Sequence, residues 1–296
     1  MPWEHFKESL SSVVLRCGPS LTEFTSPIPL SDAAVDHLIH LPHLRIWHIE
    51  HPPPNYSVFS LPLTSPPLVD LSLGKSACEW LSLFGRLEGC TSPAQGVTPL
   101  SRLKESLETL NIEYLSGPMT DISVASPIQM FRNLNHLDVE AFCRGGDGGG
   151  PCTFMLDNDN IAKLAMALPQ LGLLALGDPC FENTCATTVA CLLSISVYCV
   201  KLDFLAIHFN TTNILEDFKN ISEDPEFREL RSLPRGRLSL LEVCAIPLTV
   251  DESEYKTVAD GMIDIFPSLK CCEGMWGVWH EVSNYLRRVD APMGHQ

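Results

Sequence analysis

Leu168-Pro169-Gln170-Leu171-Gly172-Leu173-Leu174-Ala175-Leu176 decides the fold. It reads L-x-x-L-x-x-L-x-L: a turn, then an alternation of period two. The closing Leu174-Ala175-Leu176 puts two apolar side chains on one face of a short strand. The earlier leucine brings the incoming turn into the same core. The phrase recurs as Leu41, Leu44, Trp47, Ile49; as Phe131, Leu134, Leu137, Val139; as Cys199, Leu202, Leu205, Ile207; and as Phe266, Leu269, Cys272. Shorter copies are Leu68, Leu71, Leu73; Leu107, Leu110, Ile112; and Leu238, Leu241, Val243, with Leu21 and Phe24 a degenerate first copy.

The second apolar position advances through Leu21, Leu44, Leu68, Leu107, Leu134, Leu171, Leu202, Leu238 and Leu269. Leucine-rich repeats usually step by about 20–29 residues, and several steps here are longer, so loops or longer helices are inserted. A single unit cannot cover its own apolar face, so neighbours must stack. The stretches between copies read as helices. Ser31-Asp32 caps one carrying Ala34, Leu38 and Leu41, and Asp159-Asn160 precedes Ile161, Leu164, Ala165 and Leu168. Thr184 to Tyr198 and Asp251 to Ile265 supply two more. The expected fold is therefore α/β: one leucine-rich-repeat solenoid over 1–296, a horseshoe of about eight or nine irregular repeats with parallel concave strands and outer helices. Residues 1–20 form an N-terminal cap through Trp3, Phe6 and Leu10, and 275–290 a C-terminal capping helix through Trp279, Val282 and Leu286.

Composition narrows the function. Hydrophobic residues make up 45% and charged residues 19%, which suits a large core rather than disorder. A formal charge of −16 argues against nucleic acid and an anionic membrane surface, and fits a protein partner with a basic surface. No apolar run is long enough to span a bilayer, and Met1-Pro2-Trp3-Glu4-His5 does not open a signal peptide. The expected place is the cytoplasm or nucleus, where the twelve Cys are mostly buried thiols.

Alternation also names the solvent-facing residues of each strand. The first half of the face is polar and acidic, with Glu113, Asp138 and Glu140; the second is apolar, with Leu173, Phe204 and Leu240 in line, and His208 beyond. These seven are the expected partner-binding residues, an apolar group entering near Phe204 and basic groups facing the carboxylates.

Catalytic and metal patterns are weak. His37, His40, His43, His48 and His51 straddle a helix, a turn and a strand, and no CxxC pair exists. The glycine run from Cys143 to Cys152 lacks the Gly-Lys-Ser/Thr of a phosphate loop. Asp157-Asn158-Asp159-Asn160 opens like a calcium loop, but Ala162 and Leu168 stand where Gly and Glu are needed, so capping explains it better. No enzyme, cofactor or metal is expected; a hydrolase is a distant third reading.

The block Leu30-Ser31-Asp32-Ala33-Ala34-Val35-Asp36-His37-Leu38-Ile39-His40-Leu41-Pro42-His43-Leu44-Arg45-Ile46-Trp47-His48-Ile49 resembles the repeat region of F-box proteins from mushroom-forming fungi. Ile128 to Leu134 and Ala165 to Leu171 are similar in the same way. The resemblance implies the substrate-recognition region of a receptor in a cullin-based ubiquitin ligase. It departs at the start: no Leu-Pro-x-Glu-Ile/Leu-like segment opens a three-helix F-box, and residues 1–20 run into the first repeat. A Skp-type adaptor is an expected partner only if an F-box lies outside this chain. The alternative is a stand-alone repeat scaffold without a ligase role.

Overall fold

The computed structural model describes residues 3–50, 68–74, 105–114, 128–141, 156–177, 186–243, 250–274 and 277–289. They form an α/β fold. In chain order the elements are α1 (Trp3–Val14), β1 (Glu23–Ser26), α2 (Asp32–Ile39), β2 (Ile46–Ile49), β3 (Asp70–Leu73), β4 (Thr109–Tyr114), β5 (His136–Ala141), α3 (Asn158–Ala167), β6 (Leu173–Leu176), α4 (Ala190–Tyr198), β7 (Phe204–Ile207), α5 (Ile214–Glu223), α6 (Pro225–Ser232), β8 (Leu240–Val243), α7 (Tyr255–Ile265), β9 (Cys271–Gly274) and α8 (Gly277–Val289). They fall into two compact units, Met1–Gly117 with Ser123–Val139, and Pro118–Ile122 with Glu140–Gln296.

Each strand stands where a copy of the leucine phrase predicts it, and backbone hydrogen bonds explain the phrase. The L-x-x-L segment is a turn closed between its ends. Leu171 N–H donates to Leu168 C=O (3.3 Å), Leu134 to Phe131 (3.0 Å), Leu202 to Cys199 (3.0 Å) and Leu269 to Phe266 (3.0 Å). Pro42, Pro169 and Pro267 occupy the second turn position, where a φ fixed near −65° already suits the chain. At the strand entry two successive N–H groups then share one carbonyl of the preceding repeat. Asp203 and Phe204 both donate to Gly172, Ser239 and Leu240 to Asp203, and Lys270 and Cys271 to Ser239. In the first unit the same double bond falls on Thr22, Arg45, Val69 and Glu108. One strand entry thus sets the register of the next.

In the first unit the strands follow the order β1-β2-β3-β4-β5. The pairs β1–β2, β2–β3 and β3–β4 are parallel, with Trp47 beside Leu71 and Leu71 beside Leu110. These are the inward residues, and Trp47, Leu71, Leu110, Ile112, Leu137 and Val139 are all at most 2% exposed. Gly74, just past β3, is buried. Its N–H donates to Ile49 C=O (2.7 Å), and a Cβ there would lie 2.5 Å from the Glu50 backbone. Ser31 caps α2, its Oγ accepting from Ala34 N–H at 3.3 Å, as expected. Helix α1 departs from expectation. Among its described side chains Ser11 and Val14 are the buried ones, while Phe6 is 59% exposed. The reason is close approach: Ser11 Oγ accepts from Ser31 N–H (2.9 Å), tying α1 to the α2 entry through a small side chain.

In the second unit the order is β6-β7-β8-β9, all parallel and in register. Leu174, Leu205, Leu241 and Cys272 form one inward column, and Leu176, Ile207 and Val243 a second. Helix α3 starts at Asn158, within the capping run Asp157 to Asn160: Asp157 is the N-cap and accepts from Asn160 N–H at 2.8 Å. Helix α4 is buried on every side from Cys191 to Val197. It packs against α3, α5, α6 and α7, which explains its lack of a polar face. Helices α5 and α6 lie in a stretch where the leucine phrase gives no helix. Arg231 of α6 pairs with Asp264 of α7, and Gly261 of α7 leaves room for the Phe218 ring of α5.

The last strand would leave an open edge, a hazard in any sheet. Helix α8 covers it. Ser283, 2% exposed, accepts the Cys272 N–H at 3.2 Å. In the inward column Val243 is paired with Gly274, where a Cβ would lie 2.6 Å from the Trp279 ring. Trp279 therefore fills the slot that Gly274 leaves, with Val282 and Leu286 buried beside it.

Candidate functional site

The strand residues that alternate with the buried columns are the chemically available ones. In the second unit they form two rows. Leu173, Phe204, Leu240 and Cys271 are in register in the first, and Ala175, Ala206, Glu242 and Glu273 in the second, where Ala206 is buried and the two glutamates are exposed. Leu173, Phe204 and Leu240 are partly exposed, whereas Leu174, Leu205 and Leu241 beside them are at most 1% exposed. The structure thus brings together three of the seven expected partner-binding residues in one apolar row.

His208 does not join them. It is 1% exposed, because β7 ends at Ile207 and alternation ends with it. The chain turns there to the bridge between Thr188 and Asn210, where Asn210 N–H donates to Thr187 C=O at 2.8 Å. His208 is removed from the expected site.

The acidic residues stand elsewhere. Asp138 lies on β5 in the first unit, partly buried. Glu113 and Glu140 lie on β4 and β5, with side chains outside the described residues. On the solvent-facing side of the first unit, His48 Nε2 meets Asp70 Oδ1 at 3.0 Å. The two units carry separate candidate faces: a polar one with Asp70 and Asp138, and an apolar one around Phe204.

Burial pushes the Asp138 carboxyl up from its ordinary value, and His136 opposes this more weakly. A carboxyl raised in the fold contributes stability below its unfolded value and loses it as pH rises through the folded value. At neutral pH the ionised Asp138 is therefore a cost to the fold, the kind of cost found at binding sites. Asp138→Asn is expected to raise the thermal midpoint at pH 7 relative to wild type. The difference should shrink toward zero below about pH 4. Thermal melts across that range check this; a pH-independent difference refutes the assignment.

The sequence reading passed over Glu273. The inward alternation that marks the other strands breaks at Gly274, which has no side chain to signal it. Only the register Glu242–Glu273 reveals two carboxylates on adjacent strands. Cys271 Sγ donates to Glu273 Oε1 (3.6 Å) and accepts from Arg287 Nη2 (3.5 Å).

The histidine cluster is dispersed. His37 Nε2 contacts Cys17 C=O at 3.0 Å, His40 Nδ1 contacts Asp36 C=O at 2.6 Å, and His48 is on the Asp70 pair. His51 and the glycine run lie outside the described residues. Among the described residues no three His, Cys, Asp or Glu side chains converge as a metal site, and no helix is long and apolar enough to cross a membrane. Burial pushes the Cys199 thiol up to about 12, and its Sγ faces the Ala165 and Leu168 carbonyls (3.7 and 3.8 Å). It is a packed thiol, not a nucleophile. No protein-family model matches the chain, and no curated protein matches it.

Proposed function

We propose that the chain is a leucine-rich-repeat solenoid that binds a protein partner on the solvent-facing side of its strands, as the substrate-holding part of a ubiquitin-ligase receptor. Turn, strand and returning helix in sequence order support the repeat reading. The observation that carries the binding reading is the row Leu173, Phe204, Leu240. Three large apolar side chains in register on adjacent strands keep solvent contact while their neighbours are fully buried. Such a stripe on a solvated face is what a partner covers. The ligase context comes from the resemblance of the leucine blocks to F-box protein repeats.

The test is affinity capture by the tagged chain from native-host lysate, with mass spectrometry, for wild type and Phe204→Asp. Proteins held by wild type and lost by the variant, with the thermal melt of the variant unchanged, support the face. An identical captured set overturns it. Expression of the tagged full gene product tests the ligase context: co-recovery of a Skp-type adaptor and a cullin supports it. Partners without either subunit leave a stand-alone scaffold.

A further inference from the structure

Strand β1 is the outer strand of the first unit, and among the described residues it pairs only with β2. Thr22 and Ser26 turn their carbonyls to β2, accepting from Ile46 and Glu50 N–H (both 3.2 Å). Backbone direction repeats every second residue, so Glu23 and Thr25 turn their N–H and C=O groups the other way. Both residues are exposed. The inward column is open at the same place. Phe24 pairs with Trp47 and keeps solvent contact, while Trp47, Leu71 and Leu110 are at most 1% exposed. Charge is sparse here too. From Cys17 to Ser31 the one charged residue is Glu23, in a chain of formal charge −16. Two acidic chains can therefore meet at this edge with a single charge a side.

An open edge is completed by a strand that presents a matching row of donors and acceptors. A second copy of β1 does so about a two-fold axis, in an antiparallel register that sets outward residues opposite one another. The axis can pass through Glu23, Phe24 or Thr25. Centring on Glu23 sets two carboxylates face to face, and they repel. Centring on Thr25 sets Glu23 against Pro27, which has no N–H to give. Centring on Phe24 sets Glu23 opposite Thr25 of the other copy, twice by symmetry, with all outward groups of both residues paired and no like charges opposed. We infer that the chain forms a two-fold dimer by antiparallel pairing of β1 with β1 of a second copy, centred on Phe24. The two Phe24 residues then face each other as a non-hydrogen-bonded pair, with about 4.5 Å between Cα atoms and their rings on the inward side. The ring that ends one buried column becomes the junction of two.

Sedimentation equilibrium of the whole chain tests it, at about 0.15 M salt so that long-range repulsion between acidic chains is screened. The contact is small, the class of weak encounters, so the dimer should form in the micromolar range. The wild-type mass is expected to rise with concentration from one chain toward two. Thr25→Glu puts a second carboxylate opposite Glu23 and should raise the dissociation constant at least about fivefold, since the conflict occurs twice. Glu23→Lys/Thr25→Glu sets opposite charges against each other and should restore wild-type association or tighten it. Both positions are exposed, so these variants keep the wild-type melting temperature. Phe204→Asp should self-associate as wild type does, which separates the dimer from the partner-binding face. A chain that stays monomeric at every concentration, a dimer indifferent to Thr25→Glu, or a double variant as weak as Thr25→Glu alone overturns the inference.

Discussion

Trp279→Ala lowers unfolding free energy by about 3–5 kcal/mol, read as a shift in urea midpoint by far-ultraviolet circular dichroism. The size follows from what Trp279 replaces. In the inward column of the second unit Leu176, Ile207 and Val243 succeed one another, and the next position is Gly274. The indole occupies that slot at 0% exposure and stands edge-on to Phe209, with ring centroids 6.4 Å apart. Removing it empties the end of the column, since Gly274 has no side chain to fill it. It also loosens α8, whose Ser283 satisfies the buried Cys272 N–H. The indole N–H meets no acceptor among the described residues, so Trp279→Phe forfeits volume but no hydrogen bond. It should cost less than half as much as the alanine change. Equal costs for the two would mean that Trp279 acts through something other than packing.

This end closure was legible only in part. Trp279, Val282 and Leu286 announce an amphipathic helix at spacings of three and four, but nothing in the sequence says that Gly274 and Trp279 share one slot. At the other end spacing shows less. Of Trp3, Phe6 and Leu10, Phe6 is 59% exposed, while Ser11 and Val14 are buried and Ser11 accepts from Ser31 N–H. Apolar spacing reports which residues share a face; it does not report that a small hydroxyl can bring two backbones closer than a leucine can.

The strands were legible because two requirements coincide in them. The L-x-x-L turn needs its hydrogen bond, and the alternation needs its buried column, and in the five longer copies the two follow one another within a single phrase. Helices α5 and α6 carry no such doubled signal. Ile214, Phe218 and Ile221 do lie on one face, but charged and polar residues separate them and only Ile214 and Ile221 are buried. The candidate site shows the same limit. Leu173, Phe204 and Leu240 follow from alternation alone, whereas His208 fails because its strand stops one residue earlier, and Glu273 emerges only from pairing between strands. Properties set within one strand phrase are readable; those set where a strand ends are not.

Register can be tested on two adjacent residues of β7, and here size and cost should run in opposite order. Leu205 is 0% exposed in the inward column; Phe204, the larger residue, lies in the partly exposed row. Leu205→Ala is expected to destabilise by about 2–5 kcal/mol, since it leaves a cavity among Leu174, Leu241 and the helices behind them. Phe204→Ala should cost less than Leu205→Ala although it deletes more atoms, because part of its ring already meets water. Binding should divide the other way: Phe204→Ala weakens capture of partners, and Leu205→Ala leaves it intact at temperatures where the variant stays folded. A slip of one residue would exchange the two faces of the strand and reverse both orders. Measured together by denaturation and capture, the pair therefore separates the role of the buried column from that of the exposed row. If Phe204→Ala proved the more destabilising and bound as wild type does, its ring would belong to the core, and the apolar row would have no part in recognition.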